Sequence, residues 1–161
     1  TNISYSYEIM QMNLRALKRI YPFLQISSIG NSVLGKELSA IRIGRGPKQV
    51  FYSASFHANE WITSVLLMKF LENLCISYVT NSDIYGYNPS NILDHVTLYL
   101  VPMVNPDGVD LVTGAIAPGN SAYNGAQQIA NAYPDIPFPN GWKANIEGES
   151  FINFHLLIFK K

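Results

Sequence analysis

Residues 50–75, VFYSASFHANEWITSVLLMKFLENLC, join a β-rich run to a long apolar helix pattern through one short polar corner. The run 49–56 carries apolar residues toward both faces, as expected of a strand in a sheet covered by helices on both sides. From Trp61 to about Cys75 the apolar positions are too many for a single stripe, so much of that helix's circumference is expected to be buried. The corner between them, His57-Ala58-Asn59-Glu60, places an imidazole and a carboxylate three residues apart. At a strand-to-helix joint two such side chains can converge without bending a regular element. A His nitrogen and a Glu oxygen suit zinc, whose hydrolytic sites use few protein ligands and keep one position open for water. The metal acidifies that water and polarises a carbonyl, while a separate carboxylate moves the proton. A bare H-x-x-E match arises by chance in roughly one chain of this length in five. Its ordinary alternatives are a Glu60 that favours the helix N-terminus and a His57 bonded to a neighbouring loop.

Working outward, the chain alternates strands and helices. Residues 7–21 have helical apolar spacing, with Arg15, Lys18 and Arg19 on the wet side, and Pro22 ends the pattern. A short strand is expected over 24–29, a turn at 30–32, and a peripheral strand over 37–43. The Gly-Arg-Gly-Pro segment 44–47 reads as a hairpin-like connection. Residues 78–93 read as loop. The run 96–104, VTLYLVPMV, is the strongest strand, with Pro102 near its end or at a bulge. Asn105-Pro106-Asp107-Gly108 follows as a turn. Residues 109–141, rich in Gly, Pro, Asn and Ala, read as a long surface excursion with a weak helical pattern over 126–132. This order predicts an α/β domain with a mixed, largely parallel sheet and helices on both faces. Ligands gather beyond the carboxyl ends of strands in such folds, and His57 and Asn105 both follow strong strands.

Composition narrows the class. The chain of 161 residues is long enough for one domain with a real core, and its 48% hydrophobic content is globular. A formal net charge of zero gives no electrostatic footprint for nucleic acid or an anionic membrane. No uninterrupted apolar run reaches the length of a membrane span. The chain starts at Thr1 with no signal-peptide pattern, which leaves room for a removed leader or upstream domain. The single cysteine, Cys75, falls on the apolar side of the helix and reads as a small buried hydrophobe. No Gly-rich phosphate loop follows any strand, which argues against a doubly wound nucleotide-binding domain.

The wording S-F-H-A-N-E-W at 55–61, followed by V-P-M-V-N-P-D-G-V-D at 101–110, resembles the zinc metallocarboxypeptidase (carboxypeptidase A-like) family. H-A-N-E-W-I-T and N-G-W-K-A-N-I resemble its bacterial branch, which cleaves γ-D-glutamyl-diamino acid bonds in peptidoglycan stem peptides. The likeness spans 7–148, and 1–148 reads as the N-terminal part of the catalytic domain. It implies a zinc-dependent peptidase acting on a peptide substrate, with a cell-envelope or secreted location. His57 and Glu60 match the family's first two zinc ligands. Asn59 stands where digestive members carry a substrate-holding Arg. The 105–108 segment matches the family's turn after a central strand, and its structural reading is preferred. Lys143 falls where pancreatic-type members place the Arg that polarises the scissile carbonyl, and is the candidate substrate-binding residue. Lys is the poorer bidentate donor, so a solvated surface Lys is the competing reading.

From Glu147 the chain reads EGESFINFHLLIFKK, and 149–161 is expected to be a divergent tail, out of register with the family through a frameshift or an early end. The family's third zinc ligand and general-base Glu lie beyond this point, so no catalytic residue is assigned. His95 and His155 are the remaining histidines. His95 is expected at the far end of its strand, and His155 lies in the tail. Two ligands make a poor zinc site, so weak or absent metal binding and an impaired or inactive peptidase are expected. A sheet cut short would expose an edge for self-association. The competing reading is a non-catalytic pseudoenzyme or cell-wall peptide-binding module.

Overall fold

The computed structural model describes residues 4–132, 134–135 and 137–139. Lys143, His155 and the 149–161 tail lie outside the described residues. In chain order the elements are α1 (Tyr7–Ile20), β1 (Gln25–Asn31), β2 (Glu37–Gly44), β3 (Lys48–Ser53), α2 (Ile62–Thr80), α3 (Pro89–His95), β4 (Val96–Val101), α4 (Pro106–Val112) and α5 (Ser121–Ala130). A 3-10 turn, Ala58–Glu60, precedes α2.

α1 starts where the Ser6 hydroxyl accepts from the Ile9 amide, and Glu8, Lys18 and Arg19 complement its dipole. Its buried stripe is Met10, Leu14 and Leu17. β1 and β2 pair antiparallel, with Ile26 opposite Ile41 and an irregularity between Ser28 and Asn31. β2 also pairs antiparallel with β4, and β4 pairs parallel with β3, Val50 opposite Leu98. The sheet order is therefore β1-β2-β4-β3.

That order corrects two expectations. β2 is interior to the sheet, not peripheral, and 44–47 is not a hairpin. β4 inserts between β2 and β3, and the glycines between those strands explain how. A Cβ on Gly46 would lie 1.8 Å from the His95 carbonyl carbon, and one on Gly44 would lie 2.3 Å from the Val96 oxygen. The backbone entering β4 thus passes against bare glycine backbone. Arg45 N donates to Leu93 O at 2.8 Å, and Thr97 Oγ1 donates to Gly46 O at 2.8 Å, fastening the crossing.

The fold is α/β with a mixed sheet, and the parallel pairing among the described residues is that of β3 with β4. Alternation along the strands sends Ile41, Ile43, Leu98 and Leu100 into one core with Met10 and Leu14 of α1, Met68, Leu71, Leu74 and Cys75 of α2, and Leu93 of α3. The opposite side of the strands gathers Ile29, Ala40, Phe51 and Val101. These residues and Tyr99 line a groove of about 860 Å³ that no described helix fills. β1 and β3 form the edges of the described sheet.

Three segments are more helical than the sequence suggested. α2 runs on to Thr80, where Asn81 enters the left-handed region at φ 51°. By averaged hydropathy Ala58–Thr80 is apolar and long enough to cross a bilayer. Its Met68, Leu71 and Leu74 are core residues on the sheet. The 78–93 loop contains the start of α3, with the Asn88 side chain accepting from Asn91 N and Pro89 in the first turn. The 109–141 excursion contains the end of α4 and all of α5, and Val109 and Leu111 are buried.

Candidate metal centre

The corner is built on two strand ends laced together. Beyond the β3–β4 ladder, Ala54 N donates to Val101 O, Val104 N to Ala54 O, and Asn105 N to Ser55 O, at 2.9–3.1 Å. The chain then turns sharply at Ser55, whose φ of 53° lies in the left-handed region that non-glycine residues seldom occupy. Side chains hold that conformation in place. Ser55 N donates to Thr63 Oγ1 at 2.8 Å, and the buried Ser55 and Ser64 hydroxyls meet at 2.6 Å. Ser64 Oγ bonds in turn to Pro102 O, and Thr63 Oγ1 donates to Glu60 O at 2.7 Å. The first turn of α2 is thus hydrogen-bonded back onto the corner that precedes it.

His57 is extended and Glu60 closes the 3-10 turn, its amide donating to His57 O at 3.1 Å. Their side chains converge. His57 Nδ1 and Glu60 Oε2 are 3.2 Å apart, and the two side chains are 42% and 51% exposed. Two donors bound to one tetrahedral zinc at about 2.0–2.1 Å are themselves separated by roughly 3.3 Å. The pair therefore already has ligand spacing, a distance that a direct ion pair also satisfies. Between them Ala58 is buried and Asn59 is exposed.

Beneath the corner lies the N-terminus of α4. Asn105 is fully buried, its Oδ1 accepting from Gly108 N at 2.9 Å and its Nδ2 reaching Phe56 O at 3.4 Å. A Cβ on Gly108 would lie 2.8 Å from Ala58 Cβ. Asn-Pro-Asp-Gly is thus a structural element that supports the corner, and it is the first turn of a helix. The sequence placed His57 and Asn105 at one sheet edge, and the structure brings Asn105 against Ser55 and Phe56, the residues that lead into His57. His95 sits at the other end of β4, its Nδ1 2.8 Å from Asn91 O. Among the described residues no group of three His, Cys, Asp or Glu side chains is placed to hold a metal.

Sequence reasoning missed Ser55, Thr63 and Ser64, because hydroxyl residues near a helix start carry no signal of a shared network. It also missed Lys36, which reaches Asp107 and Asp110 from a distant turn.

The zinc carboxypeptidase family profile matches residues 10–153. The chain belongs to the zinc carboxypeptidase family. Among its relatives, the γ-D-glutamyl-L-diamino acid endopeptidase 1 of Lysinibacillus sphaericus is 43% identical over 145 residues, 90% of this chain and 36% of the relative. An uncharacterized Bacillus subtilis protein, YqgT, is 35% identical over 89% of this chain and 38% of its own length. The chain thus spans little more than a third of the length of these two relatives. Solved structures share the fold. Bovine thrombin-activatable fibrinolysis inhibitor superposes with a TM-score of 0.56 at 22% identity, covering 66% of this chain and 33% of that one. Carboxypeptidase A of Helicoverpa armigera gives 0.56 at 21% identity, covering 68% and 26%.

Proposed function

We propose that His57 and Glu60 are two ligands of a zinc-dependent peptidase centre, in a protein that hydrolyses γ-D-glutamyl-diamino acid bonds of peptidoglycan stem peptides. The observation that carries the reading is the 3.2 Å convergence of His57 Nδ1 and Glu60 Oε2 at the carboxyl edge of β3 and β4. The substrate class rests on the 43% identity to an endopeptidase named for that bond. A bound zinc supplies Lewis acidity toward a carbonyl and an acidified water. The residues of this chain supply position. Ser55, Thr63 and Ser64 hold the corner's entry, and Asn105 holds its underside. Both donor side chains are partly exposed. Lys143 is proposed to provide positive charge to that peptide.

Among the described residues two donors are placed together, and two donors fix a zinc ion poorly, so we propose weak zinc binding. Titration calorimetry on chelator-stripped protein tests this reading. A weak heat of zinc binding that disappears in His57→Ala supports it, and equal binding by that variant would overturn it. The second reading, a module that binds cell-wall peptides without cleaving them, is favoured by the lack of a third donor among the described residues. Incubation with a γ-D-Glu-diaminopimelate peptide and excess zinc separates the two: turnover lost in Glu60→Gln supports the peptidase, and binding without turnover supports the module.

A further inference from the structure

A charged cluster lies buried below the corner, joining three segments distant in sequence. Lys36 Nζ is 2.7 Å from Asp110 Oδ2, 3.3 Å from Asp107 Oδ1 and 3.2 Å from Pro106 O. Asp107 Oδ2 accepts from Leu34 N, and Asp110 Oδ1 accepts from Tyr7 N, each at 2.8 Å. The Tyr7 ring lies under the ammonium, 5.7 Å from its centroid. The Asp107 side chain is wholly buried, and its Oδ1 has no hydrogen bond, only the nearby Lys36 charge.

Two carboxylates share one ammonium here. Such a cluster is a weak source of net stability, because desolvating the charges offsets much of their attraction. Its distinguishing property is geometric, since each oxygen is aimed at a particular partner. The cluster ties the start of α1 and the β1–β2 turn to α4. α4 in turn touches the corner at Gly108 against Ala58, and Asn105 bonds to Phe56 O and Ser55 O.

We propose that Lys36, Asp107 and Asp110 are positioning residues: a buried charge latch that seats α4 and thereby keeps His57 and Glu60 at ligand spacing. The proposal rests on reading those two side chains as metal ligands. Lys36→Met removes the shared cation, and Lys36→Arg keeps it. Asp107→Asn keeps volume and serves if Lys36→Met does not fold.

Two NMR measurements on the full chain decide the matter. One is the zinc-induced shift of the His57 ring, titrated with zinc alone and with His57→Ala as control. The other is amide exchange at Glu60 and Ser64, both bonded within the corner, against Leu100 in the sheet. Loss of supporting contacts behind metal ligands typically weakens metal binding by about 10- to 100-fold. Lys36→Met is expected to weaken the His57 response at least about tenfold. It should also speed exchange at Glu60 and Ser64 more than at Leu100, and Lys36→Arg should restore both. Uniform acceleration at all three amides, with zinc affinity unchanged in the folded variant, would overturn the latch as a positioning device. If wild type and His57→Ala respond to zinc alike, the metal reading fails by itself. Exchange then decides alone: acceleration confined to Glu60 and Ser64 sustains the latch, and its absence overturns it.

Discussion

Replacing Gly46 by Ala tests the crossing on which the sheet order depends. The added Cβ would lie 1.8 Å from His95 C, 2.0 Å from Val96 N and 2.2 Å from His95 O. All three are backbone atoms, so no side chain can rotate aside. Relief requires the 45–47 segment and the start of β4 to part. That motion breaks the bonds Arg45 N→Leu93 O and Thr97 Oγ1→Gly46 O. Each bond is worth about 1 kcal/mol net, and overpacking itself costs about 1–3 kcal/mol. The expected loss is therefore about 3–5 kcal/mol, a large share of the roughly 5–15 kcal/mol that holds a domain folded. With a urea slope of about 2 kcal/mol/M, the unfolding midpoint should fall by roughly 1.5–2.5 M. Gly35 is the control. Its φ is 87°, but a Cβ there meets nothing within 4 Å, so Gly35→Ala incurs only backbone strain. That strain is about 1–2 kcal/mol, a midpoint shift of about 0.5–1 M. If the two variants shift the midpoint equally, β4 does not pass against Gly46 and the order β1-β2-β4-β3 is wrong.

Two further outcomes are expected from buried groups. Ser64→Ala leaves Pro102 O and the Ser55 hydroxyl without their shared partner, and should destabilise the chain by about 1–3 kcal/mol. Urea denaturation checks it, and a change below about 0.5 kcal/mol, the range of ordinary surface substitutions, contradicts the network. Burial pushes the Cys75 thiol up from 9.0 to about 12, so the folded chain keeps its proton where the unfolded chain gives it up. The thiol's contribution is fully present below pH 9 and is lost as pH rises from there toward 12. The loss is about 1.4 kcal/mol per pH unit within that window. Urea midpoints at about pH 8 and about pH 10.5, either side of the ordinary thiol value, should converge in Cys75→Ala relative to wild type. Parallel behaviour of the two proteins argues against a buried thiol.

The legible parts of this protein were those governed by local pattern. The apolar run 49–56 and the pattern after Trp61 do appear as β3 and α2, but neither is buried all round: no residue of β3 is fully buried, and α2 packs Met68, Leu71 and Leu74 inward while Ile62, Leu66 and Val79 stay exposed. The approach of His57 to Glu60 was legible because three residues on a tight turn can bring two side chains together. The family wording at 55–61 and 101–110 carried the membership that the profile match shows. Asn105-Pro106-Asp107-Gly108 was less legible, because an Asn cap, an early Pro and a Gly begin a turn and a short helix equally well. Packing of Gly108 on Ala58 chose the helix.

By itself the sequence determined the α/β class, the strand–corner–helix unit and the closeness of His57 to Glu60, all products of short-range patterning and spacing. Tertiary structure alone decided that β4 lies between β2 and β3, that Ser55 takes a left-handed turn, and that Lys36 meets Asp107 and Asp110, far along the chain. The physical reason is the same in each case. Backbone against glycine, hydroxyl against hydroxyl and ammonium against carboxylate act only across short distances, and the folded chain is what brings those groups within range.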